Sequence, residues 1–337
     1  MSGPNLFEPL IHIGYHKTGS SWFQRNIWIN SELGFFQFEK QQNTHAYFIH
    51  PRPFDFDAEK ARQHFQAVIN ENAKKGLKSV ISSEQLTGNP NSGGYNQRLI
   101  ADRLCAAFPN AQVFLAIREQ SSMTLSAYKQ YVRAGGAGSI EQYVNPPEAG
   151  RRSVPLFDLD NFAYHQLIAY YYQLFGRKNV LVLPYEMFAR DPKEYLRRIL
   201  QLVDMPIDEG KLDKLPFERP VNAGKSGAHV AIKRRLNFWF VADRVNPVAP
   251  FPIKGANKVI KQSCLGLEYL VPDGISKMLD KRRKKRVEEI VGDRFAGSNA
   301  LTAELIGIDL RQYGYPVSAR AVEKREPRQS ELTVAAL

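Results

Sequence analysis

The sequence predicts an α/β fold of three layers, P-loop-like, with a central mainly parallel sheet and helices on both faces. Three observations carry this expectation. Short apolar runs alternate with longer stretches of helical spacing, the pattern of parallel strands joined by helical crossovers. The first run, Leu10 to Ile13, leads into a glycine-bounded turn holding a lysine and three hydroxyls, and then into a helical pattern reaching Ile29. Later runs end on charged residues, Glu84, Arg118 and Glu186, at the strand ends where open α/β sheets bind ligands.

The turn reads Gly14-Tyr15-His16-Lys17-Thr18-Gly19-Ser20-Ser21. Successive backbone N–H groups in such a turn, with the unpaired N–H groups of the following helix, form a concave anion site. Thr18, Ser20 and Ser21 add hydroxyl donors and Lys17 adds a point charge. Gly14 and Gly19 have the separation of the nucleoside-triphosphate loop G-x-x-x-x-G-K-[ST]. Ser20 stands where that pattern has its lysine, and the lysine lies inside the loop as Lys17. This departure argues against an ordinary ATPase or kinase.

Residues 31–57 are rich in aromatics and broken by prolines, and read as irregular chain. Most of these rings are expected to fill core, with lining of an acceptor cleft as the alternative. Ala58 to Lys75 has helical spacing and closes at Gly76. Residues 78–84 then form a short buried strand that delivers Glu84. A helix over 96–108 precedes a strand over 111–118, whose last residue is Arg118. A P-loop NTPase needs an acidic residue at such a strand end to hold magnesium; an arginine binds an anion instead. Residues 121–133 are helical in pattern, and Ser126 follows Arg118 by eight positions.

Residues 134–160, broken by Gly135, Gly136, Gly138, Pro146 and Pro147, read as a mobile loop that either gates a site or connects two helices. A helix over 162–175, a strand over 179–186 and a helix opened by Asp191-Pro192 restore the alternation. Residues 216–290 are less regular, and the basic run 281–286 reads as the solvated face of a helix rather than a polyanion or lipid contact. Residues 1–320 are expected to form one domain, with acceptor-side insertions at 31–57, 134–160 and 216–290, and 321–337 a flexible tail.

The chain of 337 residues, 43% hydrophobic, can bury a sizeable core. Its 46 Lys and Arg outnumber 34 Asp and Glu, a net charge of +12 that suits nucleotides, acidic glycans or a membrane surface. No specific nucleic acid is expected as partner. Cys105 and Cys264 are the only cysteines, so neither a disulfide framework nor a cysteine metal site is expected. The first nine residues lack the features of a signal peptide, and no apolar run is long enough to span a bilayer. A soluble cytoplasmic protein is the expectation.

The displaced lysine, the strand-end acid, and the strand-end arginine with a serine eight positions on together resemble the sulfotransferases that use 3'-phosphoadenosine 5'-phosphosulfate (PAPS). Further matching segments are Tyr185-Glu186, Asp191-Pro192 and residues 294–299. The resemblance implies PAPS as co-substrate, a hydroxyl on a carbohydrate, lipid or small metabolite as acceptor, and no metal. It implies that Lys17 meets the phosphosulfate and its bridging oxygen, and that Thr18, Gly19, Ser20 and Ser21 cradle the 5'-phosphate. Arg118 and Ser126 then hold the 3'-phosphate, Trp22 packs beside adenine, and Tyr185 lies in the matching downstream segment. Core packing is the competing role for Trp22, and an ion pair with Glu119 that for Arg118.

The base that accepts the hydroxyl proton is first Glu84, by resemblance to members with a strand-end glutamate, with His16 as a further candidate and His45 and His50 behind it. The family's late basic loop has its nearest counterpart in residues 222–226, including Lys225, with residues 233–235 as a rival. A P-loop nucleotide kinase or other phosphotransferase, and a non-catalytic nucleotide- or polyanion-binding protein, are the competing functions.

Overall fold

The computed structural model describes residues 5–38, 41–146, 156–218, 226–242, 249–253, 255–268 and 271–318. Five strands, β1 (Leu10–His12), β2 (Phe35–Gln37), β3 (Lys78–Ser82), β4 (Gln112–Ile117) and β5 (Val180–Pro184), form one sheet in the order β2-β3-β1-β4-β5. Every pairing is parallel, with Ile11 opposite Ile81 on one side and Val113 on the other. The strands are nearly continuous apolar runs because both faces of the sheet are covered.

Side chains alternate across a strand, so residue parity assigns each to a layer. Ile11, Ile81, Val113, Leu115 and Val182 enter one core, built with α2 (Ala58–Lys74), α3 (Gln97–Ala107), α4 (Gln120–Ala134) and α5 (Tyr164–Phe175). Leu10, Val80, Phe114, Ala116 and Leu183 enter the other, with Phe23 of α1 (Ser20–Asn26) and Leu196 and Ile199 of α6 (Pro192–Leu202). The three-layer arrangement follows.

The segments read as irregular contain regular structure. Within 31–57, Phe35–Gln37 is β2, an edge strand short enough that three residues give no alternation to detect. Phe35 and Phe48 fill core while Phe54 is fully exposed, and none of the three lines the cleft that opens above the strand ends. Within 134–160, Ser139 starts a helical turn, Ile140–Val144, with a reciprocal capping box to Gln142; residues 147–155 lie outside the described residues, as do 321–337.

The described residues of 216–290 include three helices, α7 (Gly227–Phe240), α8 (Ala256–Glu268) and α9 (Asp273–Val291), followed by α10 (Ala296–Ile306). The reason α7 escaped detection is that its buried face is polar: His229, Lys233 and Asn237, spaced four apart, are all buried. Lys233 Nζ donates to Asn257 Oδ1 at 2.8 Å, and the Asn237 amide donates to the carbonyls of Val132 and Gly136 at 2.8 and 2.9 Å. The two Asn237 bonds fasten α7 to the end of α4 and to the glycine turn after it. The run 281–286 does lie on a helix, α9, but not wholly on a solvated face: Arg283 reaches the Gly227 carbonyl at 2.9 Å and Lys284 lines the cleft above the strand ends. Among the described residues no helix is long and apolar enough to cross a membrane.

Gly227 opens α7 where it crosses α9. A Cβ there would lie 2.3 Å from the Ser276 carbonyl oxygen and 2.8 Å from the Asp280 nitrogen, both backbone atoms. Gly227→Ala is therefore expected to force the two helices apart and destabilise the fold by about 1–3 kcal/mol, seen as a lowered midpoint in thermal unfolding.

Candidate active site

The candidate site forms where three neighbouring strands, β3, β1 and β4, end together. Past His12, the N–H groups of Ile13 and Tyr15 still bond to the carbonyls of Phe114 and Ala116, at 2.9 and 3.0 Å, and then the chain lifts off the sheet. Lys17 and Gly19 both take left-handed backbone, with φ of 68° and 89°. Left-handed residues close to one another turn successive N–H groups toward one side, the geometry of an anion nest. For a lysine this conformation costs on the order of 1–2 kcal/mol, and such strain concentrates at functional sites.

Among the described residues none of the backbone N–H groups from Lys17 to Ser21 has a protein acceptor. The hydroxyls divide. Thr18 is buried and its Oγ1 donates to the Tyr15 carbonyl at 2.6 Å, so it holds the turn closed and only its N–H faces a ligand. Ser20 Oγ is buried without a partner. Gly19 lets the loop pass Tyr185, whose ring would lie 3.3 Å from a Cβ at that position.

Arg118 leaves β4 and donates from one Nη to the Lys17 carbonyl at 2.9 Å, while its guanidinium lies over the Tyr185 ring, 5.1 Å from the centroid. Its own carbonyl accepts from the buried Tyr164 hydroxyl at 2.6 Å. Glu119 does not pair with Arg118; its carboxylate caps α4, accepting from the N–H groups of Ser121 and Ser122 at 2.7 and 2.8 Å. The Glu119 N–H in turn donates to Glu186, whose other oxygen accepts from the Tyr315 hydroxyl, both at 3.0 Å. Burial raises the Glu186 pKa. Arg118 Nε is left buried and unpartnered.

A cleft of about 1080 Å³ opens above these strand ends. It brings together His16, Lys17, Gly19, Ser20, Ser21 and Trp22 from the loop and α1, Glu84 after β3, Arg118 after β4, Ser126 on α4, and Tyr185 after β5. Trp22 has the core packing considered for it and also a place on the cleft wall. Its ring is buried, stacked on Phe217 at 5.6 Å and tilted against Phe188 at 4.9 Å, and its edge still lines the cleft.

Lys225 lies outside the described residues. Residues 233–235 sit within α7 rather than on a loop and do not line the cleft. His45 bonds Ser83 Oγ at 2.9 Å, and neither it nor His50 lines the cleft.

Electrostatics distinguish the base candidates. Burial pushes the His16 pKa down; Glu84 opposes this and Lys17 reinforces it. His16 is thus a neutral imidazole at pH 7, with its Nδ1 unpartnered, and one oxygen of Glu84 is buried and unpartnered beside it. Lys17 is also pushed below the ordinary lysine value of 10.5, by burial and then by Arg133; Glu84 opposes, and Arg118 adds to the depression.

The sequence reading missed Lys129, Arg133 and Lys284, three cations on the same cleft. Lys129 and Arg133 follow Ser126 on α4 at three and seven positions, a helical spacing that would have flagged them once the helix face was assigned. Lys284 comes from α9, and nothing local in the sequence points it here.

Comparison with known proteins gives the class. A sequence profile of the sulfotransferase family matches residues 30–209, just over half of the chain, and the chain belongs to that family. The matched span includes Glu84, Arg118, Ser126 and Tyr185 and begins after the loop that holds Lys17. The fold is similar to that of a sulfotransferase from Alicyclobacillus acidocaldarius, with TM-score 0.54 and 16% identity over 93% of this chain and 99% of that one. A lower likeness, with TM-score 0.36 and 12% identity, is to mouse sulfotransferase SULT7A1 complexed with PAP, covering 61% of this chain and 62% of that one. No curated protein sequence matches the chain.

Because the Thr18 hydroxyl is buried on the Tyr15 carbonyl, Thr18→Val leaves that carbonyl without its donor. The variant is expected to lose about 1–3 kcal/mol of stability, measured by denaturant unfolding, whereas Ser21→Ala, at the partly exposed cleft wall, is expected to change it little.

Proposed function

We propose that this sulfotransferase moves a sulfuryl group from PAPS to a hydroxyl acceptor by in-line transfer. The observation that carries this reading is the convergence on one cleft of the Lys17 loop, Arg118 with Ser126, and the Glu84–His16 pair. The fit to an anionic donor is supported by what these groups lack. The loop N–H groups, Ser20 Oγ and Arg118 Nε are polar donors without protein partners, and such groups are costly unless a ligand or solvent meets them.

On this reading the loop from Lys17 to Ser21 receives the 5'-phosphosulfate end, and Arg118 and Ser126 the 3'-phosphate. When bound, the donor supplies the sulfuryl group and leaves as adenosine 3',5'-bisphosphate. Lys17 places its ammonium at the loop mouth, where negative charge grows as the leaving group departs; preorganised charge of this kind is commonly the largest catalytic contribution. Glu84 takes the proton from the acceptor hydroxyl, with neutral His16 as the neighbouring base. Trp22 and Phe217 offer an aromatic wall for the base of the nucleotide.

The donor is tested by thermal unfolding with adenosine 3',5'-bisphosphate and with ATP, since a ligand of the native state raises the midpoint by mass action. A rise with the bisphosphate supports the reading; a rise with ATP alone points to a phosphotransferase and overturns it. Lys17→Ala is expected to lower the turnover number by a factor of about 100 or more, and Arg118→Ala to weaken bisphosphate binding at least tenfold. Glu84→Gln should reduce turnover while sparing that binding; full activity would remove Glu84 as the base.

Lys17 also predicts a pH profile. Its depressed pKa means the ammonium is lost at lower pH than in an ordinary lysine, so kcat/KM of the free enzyme falls on the alkaline side below pH 10.5. Lys17→Arg, which keeps its charge there, is expected to remove that limb while retaining part of the activity.

A further inference from the structure

The helical hairpin formed by α7 and α8 has an inside and an outside of different character. Ile260 and Cys264 from α8 pack against Ile232, Leu236 and Phe240 from α7 in a small core of the hairpin's own. Outside it, Phe238, Trp239, Phe251, Ile253 and Val259 are left between 47% and 63% exposed. These are not scattered single residues of the kind every surface carries. Phe238 meets Trp239 edge-on at 5.6 Å, Trp239 stacks on Phe251 at 6.1 Å, and the Phe251 N–H donates to the Trp239 carbonyl at 2.9 Å. The Ile253 N–H likewise bonds the Phe240 carbonyl. The patch is therefore held together by backbone bonds between the end of α7 and the segment leading into α8, and the Asn237 amide ties that end of α7 to α4.

Charge says what fits there. The hairpin and its connection, residues 227–268, carry seven Lys and Arg against Asp243 and Glu268. Arg235 and Lys258 are exposed on α7 and α8 themselves. A second copy of the chain would bring two such cationic faces together, which like-charge repulsion opposes. Aromatic rings flanked by lysine and arginine are the composition of elements that lie in the interface of an anionic bilayer.

We propose that the α7–α8 hairpin docks this protein peripherally on anionic membranes, with Trp239 and Phe251 entering the headgroup layer and the surrounding cations contacting acidic lipid. This inference stands apart from the donor assignment, since no residue of the patch lines the cleft.

The protein carries its own reporter. Of its three tryptophans, Trp22 and Trp28 are buried, at 5% and 0% exposure, and Trp239 is 47% exposed. Adding vesicles of 30% phosphatidylserine and 70% phosphatidylcholine to the full chain is expected to blue-shift the emission and to co-sediment the protein. Pure phosphatidylcholine vesicles should bind at least tenfold less. Trp239→Ser with Phe251→Ser is expected to reduce partitioning on the anionic vesicles at least tenfold with the thermal midpoint unchanged, and Trp239→Phe, the conservative variant, to retain it. Absence of co-sedimentation overturns the proposal. So does binding that is undiminished in the double serine variant, or binding without a blue shift, either of which assigns the contact to cations elsewhere. Concentration-dependent dimerisation lost in the double variant, without vesicle binding, assigns the patch to a second copy and also overturns it.

Discussion

The bond from the Arg118 guanidinium to the Lys17 carbonyl joins the two halves of the candidate site. One partner ends β4 and the other sits at the strained point of the loop after β1, 101 residues earlier. Adjacent parallel strands bring them together, and the bond then fixes the loop against the strand end. Behind it lies a buried polar scaffold: the Tyr164 hydroxyl on the Arg118 carbonyl, Glu186 between the Glu119 N–H and the Tyr315 hydroxyl, and the side-chain amides of Gln120 and Asn299 bonded to each other. Fully satisfied networks of this kind rigidify what they support. The guanidinium itself keeps Nε unpartnered, so rigidity is built around it without using up its capacity for an anion.

The late segment 294–299 acquires a physical role from this scaffold. Asn299 lies far from the cleft in sequence and does not line it, yet it bonds both Gln120, two residues after Arg118, and the Pro316 carbonyl. Segments that resemble a family motif need not line the cleft; here the segment braces the turn after Arg118, which does. The same applies to Glu186, a strand-end acid that reads as a ligand contact and serves as a buried acceptor for backbone and tyrosine.

The sheet and its covering helices were legible because their signals are local. The apolar runs around Ile11, Ile81, Val113 and Val182, each followed by helical spacing, require only strand and helix periodicity to read. Lys17, Glu84 and Arg118 were legible for a related reason: each occupies a strand end or the loop after one. What could not be read came from elements whose stability is not local. The three residues of β2 exist because β3 pairs with them, and α7 buries Lys233 and Asn237 on polar partners supplied by other elements. Lys284 reaches the cleft only because α9 crosses α4, a tertiary fact, and so the cationic side of the site stayed hidden.

The left-handed backbone at Lys17 has a further consequence for how this chain can change. Lys17 occupies a conformation that glycine or asparagine adopts more readily. Replacement by either relaxes the loop while removing the ammonium, so the more comfortable chain is the chemically poorer one. Selection for stability alone would drift away from lysine at this position, a drift that the proposed role of its ammonium would oppose.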